Sequence, residues 1–209
     1  SVVSDDLRQV IEEHSGRPFD RCFDQWVYSP RHPDLNISFR WLPKQKLAKV
    51  TIKQTQKLDD DVRLFHFPTK LRFHVDGEVV DHPIIVREQE EDFYVELDEQ
   101  PQIVRFDPDY SVLATINFNK SDELLSAQLK NSQDMMGRLL AAKALGKRKT
   151  KASAEMLEDV LNHDPFFGVR IMAAKSLAEH GSDDTYERLA KSWQQDDARV
   201  RQEVVRLIT

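Results

Sequence analysis

Glycine is scarce in this sequence, at six in 209 residues. That leaves little material for the backbone loops that cradle phosphates or dinucleotides. There is one cysteine, Cys22, so no internal disulfide can form and no Cys-x-x-Cys pair exists for redox or zinc chemistry. No apolar run approaches the ~20 residues that a membrane-crossing helix needs, and no basic-then-apolar leader opens the chain. No membrane partner is expected; a soluble chain is, with a cytoplasmic placement favoured over export and the compartment otherwise open. Positive charge is also short, since the formal net charge is −6. Residues 121–209 hold 14 Lys+Arg against 14 Asp+Glu, whereas residues 1–120 hold 16 against 22. Neither part presents the broad positive field that nucleic-acid binding draws on, so nucleic acid is not an expected partner.

What is present fits a globular chain, with 40% hydrophobic and 32% charged residues. Three sections separate by the period of their apolar residues. Residues 1–33 read as two short helices. In the first, Ser4 is the expected cap, Asp5 and Asp6 suit the N-terminal end, Leu7, Val10 and Ile11 form a stripe, and Gly16 is the stop. The second spans Phe19 to Tyr28 with Phe19, Cys22, Phe23, Trp26 and Val27 on one face, where Cys22 is expected as a buried structural thiol. Two such faces need further cover, from chain preceding Ser1 or from the next section.

Residues 34–120 switch to the two-residue period of strands. Expected strands are Leu35–Phe39, Leu47–Gln54, Leu64–Phe67, Leu71–Val75, Val79–Val86, Phe93–Leu97, Ile103–Phe106 and Val112–Phe118. They are punctuated at Pro43, Asp59-Asp60-Asp61, Pro68, Asp76-Gly77, Glu88–Asp92, Pro101 and Asp107-Pro108-Asp109. Seven or eight short strands with no helix between them describe an antiparallel β-sandwich. Asp76-Gly77 is a hairpin signal.

Residues 121–209 are helical and repetitive. Gly137-Arg138-Leu139-Leu140-Ala141-Ala142-Lys143-Ala144-Leu145 aligns with Val169-Arg170-Ile171-Met172-Ala173-Ala174-Lys175-Ser176-Leu177, and more loosely with Val200-Arg201 to Leu207. Arg138, Arg170 and Arg201 lie 32 and 31 residues apart, the length of two helices and their turns, which defines an α-helical solenoid. The Ala-Ala pairs permit close helix approach, and Ala154–Leu161 and Thr185–Trp193 supply the outer layer. The Asp164…Val169-Arg170 and Asp197…Val200-Arg201 pairs resemble short HEAT repeats. That resemblance implies a ladder of turn aspartates meeting arginines of neighbouring units. Thr209 falls in mid-helix, so continuation beyond it is expected.

Catalytic patterns are missing. The histidines are His14, His32, His66, His74, His82, His163 and His180, and none makes a His-Glu-x-x-His pair. His66 and His74 flank a predicted turn and are the one pair a hairpin would bring together; ordinary strand histidines are the simpler expectation. The acidic run Glu88, Glu90, Glu91 and Asp92 reads as a solvated hairpin end. The basic cluster Lys143, Lys147, Arg148, Lys149 and Lys151 reads as a solvated loop. No catalytic, cofactor-binding or metal-binding residue is expected in this chain.

One stretch says more. Asp6-Leu7-Arg8-Gln9-Val10-Ile11-Glu12-Glu13-His14-Ser15-Gly16, Phe19, Phe23-Asp24-Gln25-Trp26-Val27 and His32-Pro33-Asp34-Leu35 resemble the junction in aminopeptidase N-like zinc peptidases (gluzincin aminopeptidases). There the last catalytic-domain helices end in Phe-x-x-Trp, and a Gly-x-Pro loop leads into a β-sandwich. Arg31 stands where that family commonly has glycine. Val104-Arg105-Phe106-Asp107-Pro108 is similar to the family's penultimate sandwich strand and the turn after it. The resemblance covers residues 4–120. It implies a parent chain whose zinc, zinc ligands and exopeptidase segment lie upstream, whose substrates are peptides, and whose own catalytic domain is this region's first partner. The sandwich would be a spacer and the helices a cover for the cleft. The alternative is an inactive interaction scaffold, similar to the aminopeptidase-like TFIID subunit, with a protein partner on the HEAT surface.

Overall fold

The computed structural model describes residues 3–59 and 62–209. Asp60 and Asp61 of the expected acidic turn lie outside the described residues. The chain divides into two compact units, Ser1–Leu71 with Asp81–Gln100 and Phe106–Asn119, and Arg72–Val80 with Pro101–Arg105 and Lys120–Thr209.

The first unit opens with helix α1, Ser4–Ser15. Ser4 is its first helical residue rather than its cap; Asp6 accepts from the Val3 backbone N–H at 2.9 Å instead. Gly16 ends the helix at φ 66°, a left-handed conformation that favours glycine. Helix α2, Asp20–Phe23, runs into a π-helical turn, Asp24–Tyr28. The expected apolar face is only partly covered: Val27 is 49% exposed. Phe23 is buried and Trp26 packs on Phe65 and Phe67, with ring centroids 5.4 and 6.2 Å apart. Cys22 is exposed, which corrects the expectation of a buried thiol. No residue of α1 is buried, and Leu7 and Val10 lie open.

The strands form the expected sandwich. They are β1 Asp34–Leu42, β2 Leu47–Gln54, β3 Phe67–Val75, β4 Glu78–Val86, β5 Glu90–Glu96, β6 Ile103–Phe106 and β7 Thr115–Asn119. One sheet has the order β5-β2-β1-β7 and the other β4-β3-β6. β2 lies antiparallel to β1 (Ile37↔Ile52) and to β5 (Val50↔Phe93), while β7 joins the edge of β1 in parallel (Leu35↔Ile116). Alternation sends Leu35, Ile37, Ala48, Val50 and Ile52 inward, each 2% exposed or less. Each such burial contributes about 1.5–3 kcal/mol for a side chain of Leu or Ile size.

Two expected features around Pro68 change. Leu64–His66 form no strand: the buried Gln54 side chain accepts from Phe65 N at 2.9 Å and donates to Phe65 O at 2.8 Å, holding this loop in place of a ladder. Pro68 is not a turn but lies inside β3. Hydrogen bonds from Gln102 N to His74 O and from Asp107 N to Lys70 O show that β6 ends before reaching Pro68, so its missing donor costs nothing there. The β3–β4 hairpin turns at Asp76 and Gly77, with φ 47° and 81°, as a two-residue primed turn requires.

The second unit contains α3 Asp122–Lys130, α4 Met135–Gly146, α5 Lys151–His163, α6 Phe167–His180, α7 Asp183–Lys191 and α8 Ala198–Ile208. They pair as α3/α4, α5/α6 and α7/α8, and α6 packs on both α4 and α8. The first helix of each pair is capped alike: Ser121 accepts from Leu124 N, Thr150 from Ser153 N and Ser182 from Thr185 N. Ala141, Ala142, Leu145, Leu157, Leu161, Ala173, Ala174, Leu177, Val200 and Val204 form one core. A Cβ on Gly146 would meet Ser176 Cβ at 2.8 Å, so glycine permits this approach of α4 and α6. The helical-solenoid expectation holds.

Candidate interaction surface

The interior of the second unit carries a ladder of charged rungs. Arg138 on α4 donates through Nε to Asp164 Oδ2 at 2.7 Å and through Nη2 to Oδ1 at 3.3 Å, with both side chains at most 5% exposed. Its Nη1 caps the carbonyls of Asn131 and Ser132 at 3.0 and 2.9 Å. One rung of the expected aspartate–arginine ladder is therefore present as a two-point ion pair.

The next rung differs. Measured back from the Val-Arg pair, the place of Asp164 is taken by Gln195, not by Asp197. Arg170 Nη1 reaches Gln195 Oε1 at only 3.5 Å, and Arg170 Nε is buried without a hydrogen-bond partner among the described residues. Asp197 instead caps α8, accepting from Arg199 N at 2.8 Å and pairing with the Arg199 guanidinium at 2.7 Å. These bonds hold its carboxyl far below the usual carboxylate range. Arg199 also lies over the Phe167 ring, 3.3 Å from its centroid.

A rung below Arg138 went unrecognised in the sequence. Arg105, from β6, pairs with Asp134 at 2.9 Å and is buried. The signal was there, since Val104-Arg105 is itself a Val-Arg pair, 33 residues before Arg138. Beside it Lys120 is buried, its Nζ donating to Gln128 Oε1 at 2.5 Å. Burial first, then the Arg105 charge, lower the Lys120 pKa to about 7, against the pull of Asp134.

The other flagged side chains disperse. His66 immediately precedes β3 and His74 lies inside it, so no hairpin folds one onto the other. His66 meets Arg21 at 3.4 Å, His32 meets Thr115 at 3.0 Å, and His163 meets Asp159 at 2.8 Å. Among the described residues no three His, Cys, Asp or Glu side chains converge as a metal site, and no helix is long and apolar enough to cross a membrane. Glu90 and Asp92 pair across the sheet with Lys53 at 3.1 Å and Lys49 at 2.8 Å. The basic cluster is split: Lys143 sits inside α4, Arg148 pairs with Asp122 at 3.1 Å, and Lys151 begins α5.

What remains is the surface of the second-helix layer. Helices α4, α6 and α8 carry seven Lys+Arg, two of which (Arg138 and Arg170) belong to the interior ladder, and two Asp+Glu, whereas α3, α5 and α7 carry four and eight. The balance of zero in residues 121–209 hides one basic and one acidic layer. Lys143, Lys175 and Arg206 occupy equivalent repeat positions, beside Leu140, Met172 and Glu203 in another equivalent row. Lys175 reaches Glu203 at 3.8 Å, which places the α6 and α8 rows side by side. Glu203 also pairs with Arg206, and its carboxyl lies below the usual range, chiefly through that bond.

Residues 123–208 match the family described as HEAT repeats. Transcription initiation factor TFIID subunit 2 of Gallus gallus is 38% identical to this chain over 77 residues, 36% of this chain and 7% of that protein. The Danio rerio subunit is 35% identical over 77 residues, 36% of this chain and 6% of that protein. The matches thus span a small part of those relatives. Among solved structures, the aminopeptidase A of Legionella pneumophila, in complex with aspartic acid, is similar over 100% of this chain and 30% of its own, with a TM-score of 0.61 and 16% identity. At that identity the likeness is one of fold.

Proposed function

We propose that this chain is a non-catalytic segment of a protein-interaction scaffold related to TFIID subunit 2, acting within a transcription initiation factor, with the solenoid as the part that engages other proteins. The observation that carries this reading is the 35–38% identity to that subunit in two species. On this reading residues 1–33 close an upstream domain of catalytic-type fold, residues 34–120 are the sandwich, and residues 121–209 are the HEAT solenoid. None of its residues is assigned a catalytic, cofactor-binding or metal-binding role.

The second reading is a parent that is a working zinc aminopeptidase, with this segment as spacer and cleft cover. The fold likeness to an aminopeptidase A along the whole chain favours it. Zinc and the peptide-cleaving residues would then lie outside this chain, in the parent's catalytic domain.

The full-length parent separates the two. Under the scaffold reading it releases no amino acids from peptides, with or without a chelator, and co-purifies with other subunits of an initiation factor. Chelator-sensitive release by a parent found outside any such assembly would overturn that reading in favour of the peptidase.

A further inference from the structure

We infer that the exposed face of α4, α6 and α8 is a docking site for an acidic amphipathic segment of a partner protein. The inference deepens the scaffold reading and rests on it for the premise that the solenoid receives partners. Its first support is the charge separation between the two helix layers, which no average over the chain reveals. A side chain at one repeat position is cationic in all three second helices, as Lys143, Lys175 and Arg206. Lys143 is exposed and the Lys175 side chain is 49% exposed. Charge complementarity to this row calls for carboxylates.

The second support is what lies next to the row. Leu140, 39% exposed, and the half-buried Met172 put apolar surface beside Lys143 and Lys175. A polyphosphate backbone would leave that apolar surface wet. A helix with carboxylates on one edge and Leu- or Phe-like side chains on the other satisfies both rows at once. Glu203 limits the site on the α8 side: it pairs with Arg206 at 2.5 Å and more loosely with Lys175 at 3.8 Å, so Lys143 takes the larger share of the partner's charge and Lys175 the rest.

The test uses the 209-residue chain and a fluorescein-labelled helical peptide of roughly fourteen residues, about four turns, with Glu on one face and Leu on the other. Fluorescence anisotropy should show binding that weakens as salt rises. Lys143→Glu with Lys175→Glu should weaken it about tenfold, and the same variant should gain affinity for a peptide with Lys in place of each Glu. Leu140→Gln should weaken the Glu/Leu peptide while leaving the salt dependence unchanged. Far-UV circular dichroism verifies that the variants fold; should the reversal fail to fold, Lys143→Ala with Lys175→Ala carries the same test at smaller effect. Unchanged affinity in the charge variants would overturn the inference. So would equal binding of an all-Glu peptide of the same length, or displacement of the probe by a single-stranded oligonucleotide at lower concentration than by unlabelled peptide. These outcomes are read on intact probe, so they are independent of whether the parent hydrolyses peptides.

Discussion

Arg138 and Arg170 occupy the same place in successive repeats, yet their removal should have very different consequences. Arg138→Met deletes two hydrogen bonds to Asp164 and two to backbone carbonyls. It leaves Asp164, whose side chain is 4% exposed, as a buried carboxylate with only its bond from Phe166 N. Breaking a buried pair from one side costs about 3–5 kcal/mol. Arg170→Met deletes one contact at 3.5 Å, at the limit of a hydrogen bond, and removes a buried Nε that has no partner among the described residues. An unsatisfied buried donor costs about 1–3 kcal/mol, so its removal offsets much of what is lost, and the net change should stay within about 1 kcal/mol of zero. The difference between the variants is then at least about 2 kcal/mol, or roughly 4–8 °C in melting temperature for a chain of this size. Urea and thermal melts followed by far-UV circular dichroism measure it. Replacing both partners, as Arg138→Met with Asp164→Leu, should recover a large part of the loss. Equal shifts for Arg138→Met and Arg170→Met would refute the reasoning, because they would mean that the repeat position, not its partner, sets the energy.

Lys120 should tie stability to pH. Its folded pKa is lowered to about 7 from 10.5, so between those values the unfolded chain binds the extra proton and stability rises with pH. Between pH 6 and pH 9 the rise is of order 2 kcal/mol, and Lys120→Met should remove it from urea titrations at the two pH values. Ala173, with 0% exposure, has no room for charge; Ala173→Asp should abolish most helical ellipticity at a temperature where the parent chain is folded. Gly77 at φ 81° should resist side chains, with Gly77→Ala costing about 1 kcal/mol and Gly77→Asn less, as read from denaturation midpoints. Zinc added to the chain should leave its melting temperature unchanged, and a rise of several degrees would contradict the dispersed histidines.

Much of the architecture was legible because it is written in period. The alternation of Leu35, Ile37 and Phe39 and of Ala48, Val50 and Ile52 names the inward face of β1 and β2. The arginine spacing names three helix pairs, and Asp76-Gly77 names its turn. What stayed hidden depends on partners far along the chain. Pro68 looked like a break, but whether a proline breaks a strand depends on the length of the neighbour opposite it, here β6 with four residues. Leu64–His66 carried strand-like residues, but the Gln54 side chain took the backbone groups of Phe65. Cys22 sat at helical spacing from Trp26, yet it is exposed while Trp26 packs on Phe65 and Phe67. The parallel seat of β7 on β1 has no local signature at all.

The candidate surface was less legible than the fold, for a different physical reason. Net charge over a segment is an average, and residues 121–209 average to zero because opposite layers cancel. The cancellation disappears only once the helices are assigned alternately to two layers, and then Lys143, Lys175 and Arg206 fall into register. The basic cluster that attracted notice by adjacency, Lys143 to Lys151, is divided between α4, the loop after it and the start of α5, and of its members Lys143 alone belongs to the repeat-phased row. In a solenoid, neighbours in space are neighbours in repeat phase rather than in sequence. The same rule explains the rung that sequence reading misplaced. Asp197 shares the chemistry of Asp164 but not its phase, and the residue in phase is Gln195, an uncharged side chain that leaves Arg170 without its carboxylate. Phase, not residue type, decides which side chains act together here, and both the ladder inside the solenoid and the charge on its surface follow from it.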